Sequence, residues 1–486
     1  MLQVTENELK NRLAFDNPWW EEGAVFERIR AMPRRAYFDG FMRLVKETSV
    51  NRALVLMGPR RVGKTIMLTQ AVQKLIDDGI APNRIFYVSV DTPTYTGLSL
   101  EKLLTLFLEL HGHDRRDRVY VLYDEIQYHP DWERHLKSLV DSYPEFRFIA
   151  SGSAAAALRM KSRESGAGRF TDFPLPPLYF AEFLRFRGLE DSLIDLESLK
   201  VKDMDALNHA FIDYLNFGGF PEAVLNPVVQ ADMDRFVAED IVDKVLLRDL
   251  PSLYGIADTQ ELKRLFTTLA YNTGSEMTYE GLSQASGVAK NTLRRYLDYL
   301  EAAFLIRRLH RLDQNAKRFR RVTHFKVYLT NPCIRAALFG PIDSTNDAMG
   351  RMAETAVISQ LVQSGTLGTY FYGRWKTGEI DLIALDPLKQ NPIMAAEIKW
   401  SDRAFDRPRE TLKTLIEFSE RHKLEVCYVI NKSIIDIKTI NNIKLVFCPV
   451  AIDCLGVARN ILDDMLGVVM NPLRLEPLID FMIRKR

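Results

Sequence analysis

Short apolar runs alternate with longer amphipathic stretches over the first third of the chain. The runs at 53–57, 84–90, 118–123 and 147–152 have the length of buried strands, and the stretches at 64–77, 98–110 and 131–142 place apolar residues at helical spacing. Strands and helices in this order predict a mostly parallel sheet covered on both faces. Residues 1–45 predict a helical preface that carries Trp19, Trp20, Phe26, Arg34 and Arg35. A break at Pro174, Pro176 and Pro177 ends the alternating region. Beyond it, 178–250 reads mainly as helix around a Phe-Gly-Gly-Phe-Pro turn at 217–221, and 259–300 holds three helical patterns. Residues 304–330 then alternate as two strands about a polar turn at 313–317. A further pattern starts near Gly350: a helix to about Ser364, strands near 369–372, 379–385 and 393–399, a helix near 408–421 and a strand at 425–430. The end, 451–486, is apolar and helical in pattern.

The boundaries expected from these shifts are 1–45, 46–180, 181–257, 258–330, 348–450 and 451–486, which make an α/β multidomain chain. With 486 residues, 47% apolar and 27% charged, there is material for about three buried cores. Sixty-five basic against 64 acidic residues leave a net charge of +1, so only a local patch could argue for a nucleic-acid partner. Four cysteines without a C-x-x-C pair argue against structural zinc and against a disulfide framework. No signal-like segment and no membrane-length apolar run is visible, so the expected location is cytoplasmic.

The most specific motif is Gly58-Pro59-Arg60-Arg61-Val62-Gly63-Lys64-Thr65, a full G-x-x-x-x-G-K-[ST] match between an apolar strand and a helix. Its glycines let successive backbone N–H groups curl round phosphate oxygens, and the following helix adds its positive end. In this chemistry Lys64 bridges the β- and γ-phosphates of ATP and the Thr65 hydroxyl binds Mg²⁺. Asp124 and Glu125 end the strand at 118–123. Asp124 is the candidate second Mg²⁺ ligand, and Glu125 the candidate base that polarises the attacking water. Ser151, with Ser153 as the close alternative, is a candidate contact to the γ-phosphate or the lytic water; a helix cap is the other role open to it. Arg163 and Arg169 are candidate arginines acting in trans, or solvated surface residues.

Together with Ser-Gly-Ser at 151–153, Gly-Arg-Phe at 168–170 and Leu-Pro-Pro-Leu-Tyr-Phe-Ala-Glu-Phe at 175–183, these motifs resemble the predicted bacterial and archaeal P-loop ATPases of AAA+ type. Tyr179 stands where that family more often has Ser, and Ser151 where an AAA+ sensor is more often Asn. The resemblance implies ATP binding and hydrolysis by residues 46–180; relatives often form rings in which one subunit's arginine completes the next one's site, and a homo-oligomer and a protein partner are both open for this chain.

Residues 277–287 followed by 288–300 resemble the helix-turn-helix of winged-helix domains. Leu282, Ala285, Val288, Leu293, Tyr296, Leu297 and Leu300 form the expected inward stripe, with Gly287 at the turn. Lys290, Thr292, Arg294 and Arg295 would face DNA, and the strands at 304–330, with Arg307, Arg308, Arg311, Lys317, Arg318, Arg320 and Arg321, would form a basic wing. Contact with a protein partner is the alternative use of such a module.

In the last domain, Glu379 and Asp381 share one strand face, and Glu397 and Lys399 share another. Charged groups inside an apolar sheet are costly unless paired or metal-bound. Asp381, Glu397 and Lys399, with Glu354 on the preceding helix, resemble the PD-(D/E)xK nucleases, which have a restriction-endonuclease-like α/β fold. The resemblance implies a second Mg²⁺ or Mn²⁺ held by Glu354, Asp381, Glu397 and the Ile398 carbonyl, with Lys399 orienting water. An inactive nuclease-like fold that binds protein, and a plain ion pair between Asp381 and Lys399, are the alternatives. The functions consistent with all of this are an ATPase coupled to DNA binding or processing, an ATP-driven switch acting on protein, and a transcription-linked regulator.

Overall fold

The computed structural model describes residues 5–153, 168–195, 200–318, 323–363, 370–376 and 378–465. Arg163, Arg320, Arg321 and the part of the apolar tail from 466 onward lie outside the described residues. The chain divides into two compact units, Met1–Pro176 and Pro177–Arg486.

The first unit is built on five strands: β1 (Ala53–Met57), β2 (Ile85–Ser89), β3 (Tyr120–Asp124), β4 (Arg147–Gly152) and β5 (Phe170–Pro174). They are all parallel, in the order β2-β3-β4-β1-β5. All five residues of β1 are buried, as expected of a strand covered on both faces. The helices Lys64–Asp77, Leu100–His111 and Trp132–Ser142 supply the crossovers. The helical preface folds over the edge strand β2. There Asn17 replaces a strand neighbour, with its side chain donating to the Tyr87 carbonyl at 2.9 Å and accepting from the Tyr87 N–H at 2.8 Å. The indoles of Trp19 and Trp20 both donate to the Ile85 carbonyl. An edge whose backbone groups are satisfied in this way cannot recruit a foreign strand.

The second unit opens with a short ribbon, β6 (Ile194–Asp195) and β7 (Lys200–Val201), among helices that include Phe180–Phe186, Met204–Phe217 and Thr259–Tyr271. Its centre is a nine-stranded sheet made of β8 (Glu276–Thr278), β9 (Ile306–Leu312), β10 (His324–Leu329), β11 (Tyr370–Trp375), β12 (Gly378–Leu385), β13 (Pro392–Ile398), β14 (Val426–Asn431), β15 (Asp436–Ile440) and β16 (Ile443–Pro449). The order is β15-β16-β14-β13-β12-β11-β9-β10-β8. Alternate side chains feed two cores. Tyr328, Tyr372, Leu382, Ala396 and Ile430 belong to one, and Phe371, Ile383, Ala395, Val429 and Phe447 to the other.

Several expectations are corrected by this sheet. The hairpin expected as a projecting wing lies inside it, because β9 pairs in parallel with β11. Within the expected inward stripe of the helix-turn-helix, Ala285 is exposed and Ser286 is buried in its place. The Ser286 hydroxyl bonds back to the Leu282 carbonyl at 2.6 Å, which lets a polar side chain sit inside. The helix expected near 408–421 is two pieces, Pro408–Thr411 and Lys413–His422. The strands β15 and β16 were not expected at all. Among the described residues no helix is long and apolar enough to cross a membrane.

Candidate nucleotide site and C-terminal carboxylate cluster

The loop from Gly58 to Gly63 leaves the end of β1 and enters the helix Lys64–Asp77. Gly63 at φ +91° and Arg61 at φ +65° take left-handed conformations, so the backbone curls instead of continuing the strand. Gly58 is required for a different reason: a Cβ there would lie 2.1 Å from the Leu175 carbonyl oxygen. Lys64 is buried and donates to the carbonyls of Gly58 at 3.1 Å and Pro59 at 2.9 Å, folding its ammonium over the loop.

Asp124, at the end of β3, is buried and is the hub of the site. Its Oδ2 accepts from the Thr65 hydroxyl at 2.7 Å and from the Tyr87 hydroxyl at 2.9 Å. Its Oδ1 accepts from the Ser151 hydroxyl and, at 3.1 Å, from the Glu125 N–H. Burial first, and then the charge of Asp124, push the Tyr87 hydroxyl well above its usual range, so it remains a donor. Glu125 sits at φ +53°, a conformation that turns it out of the strand direction. Its carboxylate accepts from the Gln127 amide, whose oxygen in turn accepts from the Ser153 N–H at 3.1 Å. The Ser153 hydroxyl is buried without a hydrogen-bond partner among the described residues.

The structure therefore brings Gly58, Pro59, Arg60, Arg61, Val62, Gly63, Lys64, Thr65, Asp124, Glu125 and Ser151 together. Arg60 donates to the Tyr128 hydroxyl at 2.8 Å. The hydroxyl of Thr65 and the carboxylate of Asp124 are hard oxygen donors that meet at one point, a pairing that fits Mg²⁺. Arg169 lies elsewhere. Its neighbour Phe170 pairs with Ala53, at the opposite end of β1 from the loop, and its own side chain donates to Asp141 at 2.6 Å. It does not reach the phosphate loop of its own chain.

Three residues support this site that the sequence pattern does not assign to it. Tyr87 and Gln127 support Asp124 and Glu125, and Arg35 donates to the carbonyls of Val62 at 2.7 Å and Pro176 at 2.8 Å. An Arg-Arg pair in the preface was the only signal for the last.

In the second unit, the register of β12 on β13, with Leu382 opposite Ala396, brings Asp381 beside Glu397. Lys399 lies 3.1 Å from Asp381 and 2.7 Å from Glu397. Glu354 joins from the helix Met349–Gln363, and Lys326, which the sequence reading passed over, reaches it from β10 at 2.7 Å. Burial and the neighbouring Asp381 raise the carboxyls of Glu354 and Glu397. Burial acts on Asp381 too, but Lys326 and Lys399 outweigh it and hold that carboxyl below its usual range. The Ile398 N–H donates to Asp381 Oδ2 at 2.9 Å. Among the described residues no group of three or more His, Cys, Asp or Glu side chains is arranged to hold a metal ion.

Within the expected basic wing, two arginines are ion-paired and a third is held by a backbone carbonyl. Arg308 pairs with Asp298 at 2.6 Å and with Glu301, Arg311 pairs with Glu276 at 3.4 Å, and Arg307 donates to the Glu301 carbonyl at 2.5 Å. Arg318 lies over the Phe371 ring, with its guanidinium carbon 4.8 Å from the centroid. On the helix Lys290–Ala302, Lys290 pairs with Glu280 and Arg294 lies over Tyr279.

Residues 50–184 match the family described as AAA domain, so the chain carries an N-terminal P-loop ATPase domain of AAA type. Residues 208–345 match Domain of unknown function (DUF8612), and residues 349–451 match Domain of unknown function (DUF4143). An uncharacterized protein of Haemophilus influenzae is 25% identical over 376 residues, which cover 76% of this chain and 87% of that protein. An uncharacterized protein of Methanocaldococcus jannaschii is 23% identical over 405 residues, 82% of each chain. Among solved structures, the S. cerevisiae Hsp104:casein complex is similar at 14% identity and a TM-score of 0.30, covering 61% of this chain and 54% of that one.

Proposed function

We propose that the protein binds and hydrolyses ATP with Mg²⁺ at the loop between β1 and the helix Lys64–Asp77. The observation that carries this reading is the 2.7 Å contact between Thr65 and Asp124, two residues far apart in sequence that meet beside the phosphate loop. When bound, Mg²⁺ would be held by Thr65 and Asp124 and would offset the charge of the phosphates. The backbone N–H groups of the loop cradle those phosphates, and Lys64 turns from the loop carbonyls toward them. Glu125 takes a proton from the attacking water once its carboxylate leaves Gln127. The orphan hydroxyl of Ser153 supports it as the γ-phosphate contact in preference to Ser151, whose hydroxyl is already bonded to Asp124. Isothermal titration with ATP and Mg²⁺ tests the binding step. The native protein should saturate at micromolar to low-millimolar ATP, and Lys64→Ala should abolish the heat; equal binding by both proteins would refute the assignment.

For the output of hydrolysis, two readings remain distinct. Coupling to DNA binding or processing draws support from the helix-turn-helix pattern at 279–302. A switch acting on a protein partner is favoured by a specific observation, the ion pairing of Arg308 with Asp298 and Glu301 and of Arg311 with Glu276, which takes charge away from any phosphate backbone. Electrophoretic mobility in the presence of single- and double-stranded DNA separates the two. Binding that weakens steeply with salt supports the first reading, and no shift at low salt supports the second.

A further inference from the structure

The carboxylates of the second unit already have a cation among them. Lys326 Nζ lies 2.7 Å from Glu354 Oε1 and 3.3 Å from Asp381 Oδ1, and it also contacts Glu379. Its side chain is only 3% exposed. The Tyr328 hydroxyl adds a second bond to the same Glu354 oxygen, at 2.6 Å. The other oxygen of Asp381 is taken by the Ile398 N–H and by Lys399. Of the three carboxylates that the nuclease resemblance assigns to a metal, Asp381 thus has both oxygens engaged and Glu354 has one oxygen engaged twice. Glu397 keeps a single oxygen, Oε2, without a partner among the described residues.

A divalent ion needs several oxygens turned toward one point, and here they turn toward an ammonium group. We infer that Lys326 is the resident cation of this cluster, standing where a divalent metal would stand, so that the C-terminal unit holds its acidic residues together without a metal ion. The donor set does not fit Mg²⁺ or Mn²⁺ while Lys326 is present. The lysine comes from β10, so it also clasps the hairpin region to β12 and to the helix Met349–Gln363. The same contact that excludes a metal therefore joins two stretches of chain that the sequence pattern separates. Removing the ammonium while keeping the side-chain volume should leave the carboxylates in want of positive charge, and so create a metal site that the native protein lacks.

The test is a Mn²⁺ titration of the full-length protein without nucleotide, following the paramagnetic signal of free Mn²⁺. Native protein, Lys326→Arg and Asp381→Asn should give the same isotherm. Lys326→Met should gain one site at least about tenfold tighter than any in the native protein, and the double variant Lys326→Met, Asp381→Asn should lose it. A native isotherm that loses a site on Asp381→Asn would overturn the inference, as would a cooperatively melting Lys326→Met protein with no gain. Should Lys326→Met fail to fold, the comparison of native with Asp381→Asn decides: identical isotherms support the inference, and a lost site ends it.

Discussion

Asp124 takes four hydrogen bonds, from Thr65, Tyr87, Ser151 and the Glu125 backbone, and so has little freedom to turn. A ligand oxygen fixed in this way is worth more than a mobile one, because its partners have already met the cost of ordering it. Tyr87→Phe should therefore lower ATP turnover by about tenfold while leaving the fold intact. Steady-state phosphate release over a range of Mg²⁺ concentrations checks this, and an unchanged rate with unchanged Mg²⁺ dependence would remove Tyr87 from the site. Asp453 poses the opposite case. It is buried, its Oδ2 has no partner among the described residues, and burial pushes its carboxyl up to about 7. The folded state therefore keeps a proton that the unfolded chain releases near pH 4. Stability from this group is full below about pH 4 and falls as pH rises through about 7, by at most about 4 kcal/mol. Asp453→Asn should remove that decline, and thermal melts at pH 5 and pH 8 would show it as a gain that is larger at the higher pH.

At the scale of elements, the strand–loop–helix that carries Gly58 to Thr65 was legible because everything it needs is local: an apolar run, glycines where the backbone must curl, and a helix behind. The preface was legible as helix but not as a support. Its value lies in Asn17 pairing with Tyr87 and in Arg35 reaching Val62 and Pro176, contacts between residues 27 to 141 positions apart. Arg35→Ala leaves two carbonyls without their donor and should cost about 1–3 kcal/mol of stability. It should also raise the ATP concentration needed for half-maximal turnover, since Val62 belongs to the phosphate loop. Denaturant melts together with turnover measurements would check both, and a variant as stable as the native chain would contradict the first. The hairpin β9–β10 was legible as two strands, yet its arginines were read as a surface patch. Periodicity shows which residues alternate but not what lies opposite, and Glu301, Asp298 and Glu276 lie opposite. Lys326 escaped notice for the same reason, since its partners Glu354, Glu379 and Asp381 follow 28 to 55 positions later.

At the scale of the whole molecule, the described residues are organised round two large sheets, one of five strands and one of nine, with a two-stranded ribbon besides. Four strands of the parallel sheet were anticipated from the order of its elements, and β5, which pairs with β1, was not. The larger one was expected as two separate domains, 258–330 and 348–450, and the parallel pairing of β9 with β11 that joins them is a long-range event. The strands β15 and β16 escaped although Asn441 and Asn442, both at positive φ, close them into a two-residue hairpin whose signal lies in the sequence. The neutral overall charge fits a molecule whose local basic stretch is met by acids from neighbouring elements.

We propose that Glu125 and Asp124 turn the phosphate-binding loop into a hydrolytic site. Single-turnover phosphate release from ATP with Mg²⁺, comparing native protein with Glu125→Gln, tests it most directly. The Gln variant should bind ATP as the native protein does and release phosphate at least about 100-fold more slowly. Equal rates in the two proteins, or no release from the native protein with ATP bound, would contradict the account.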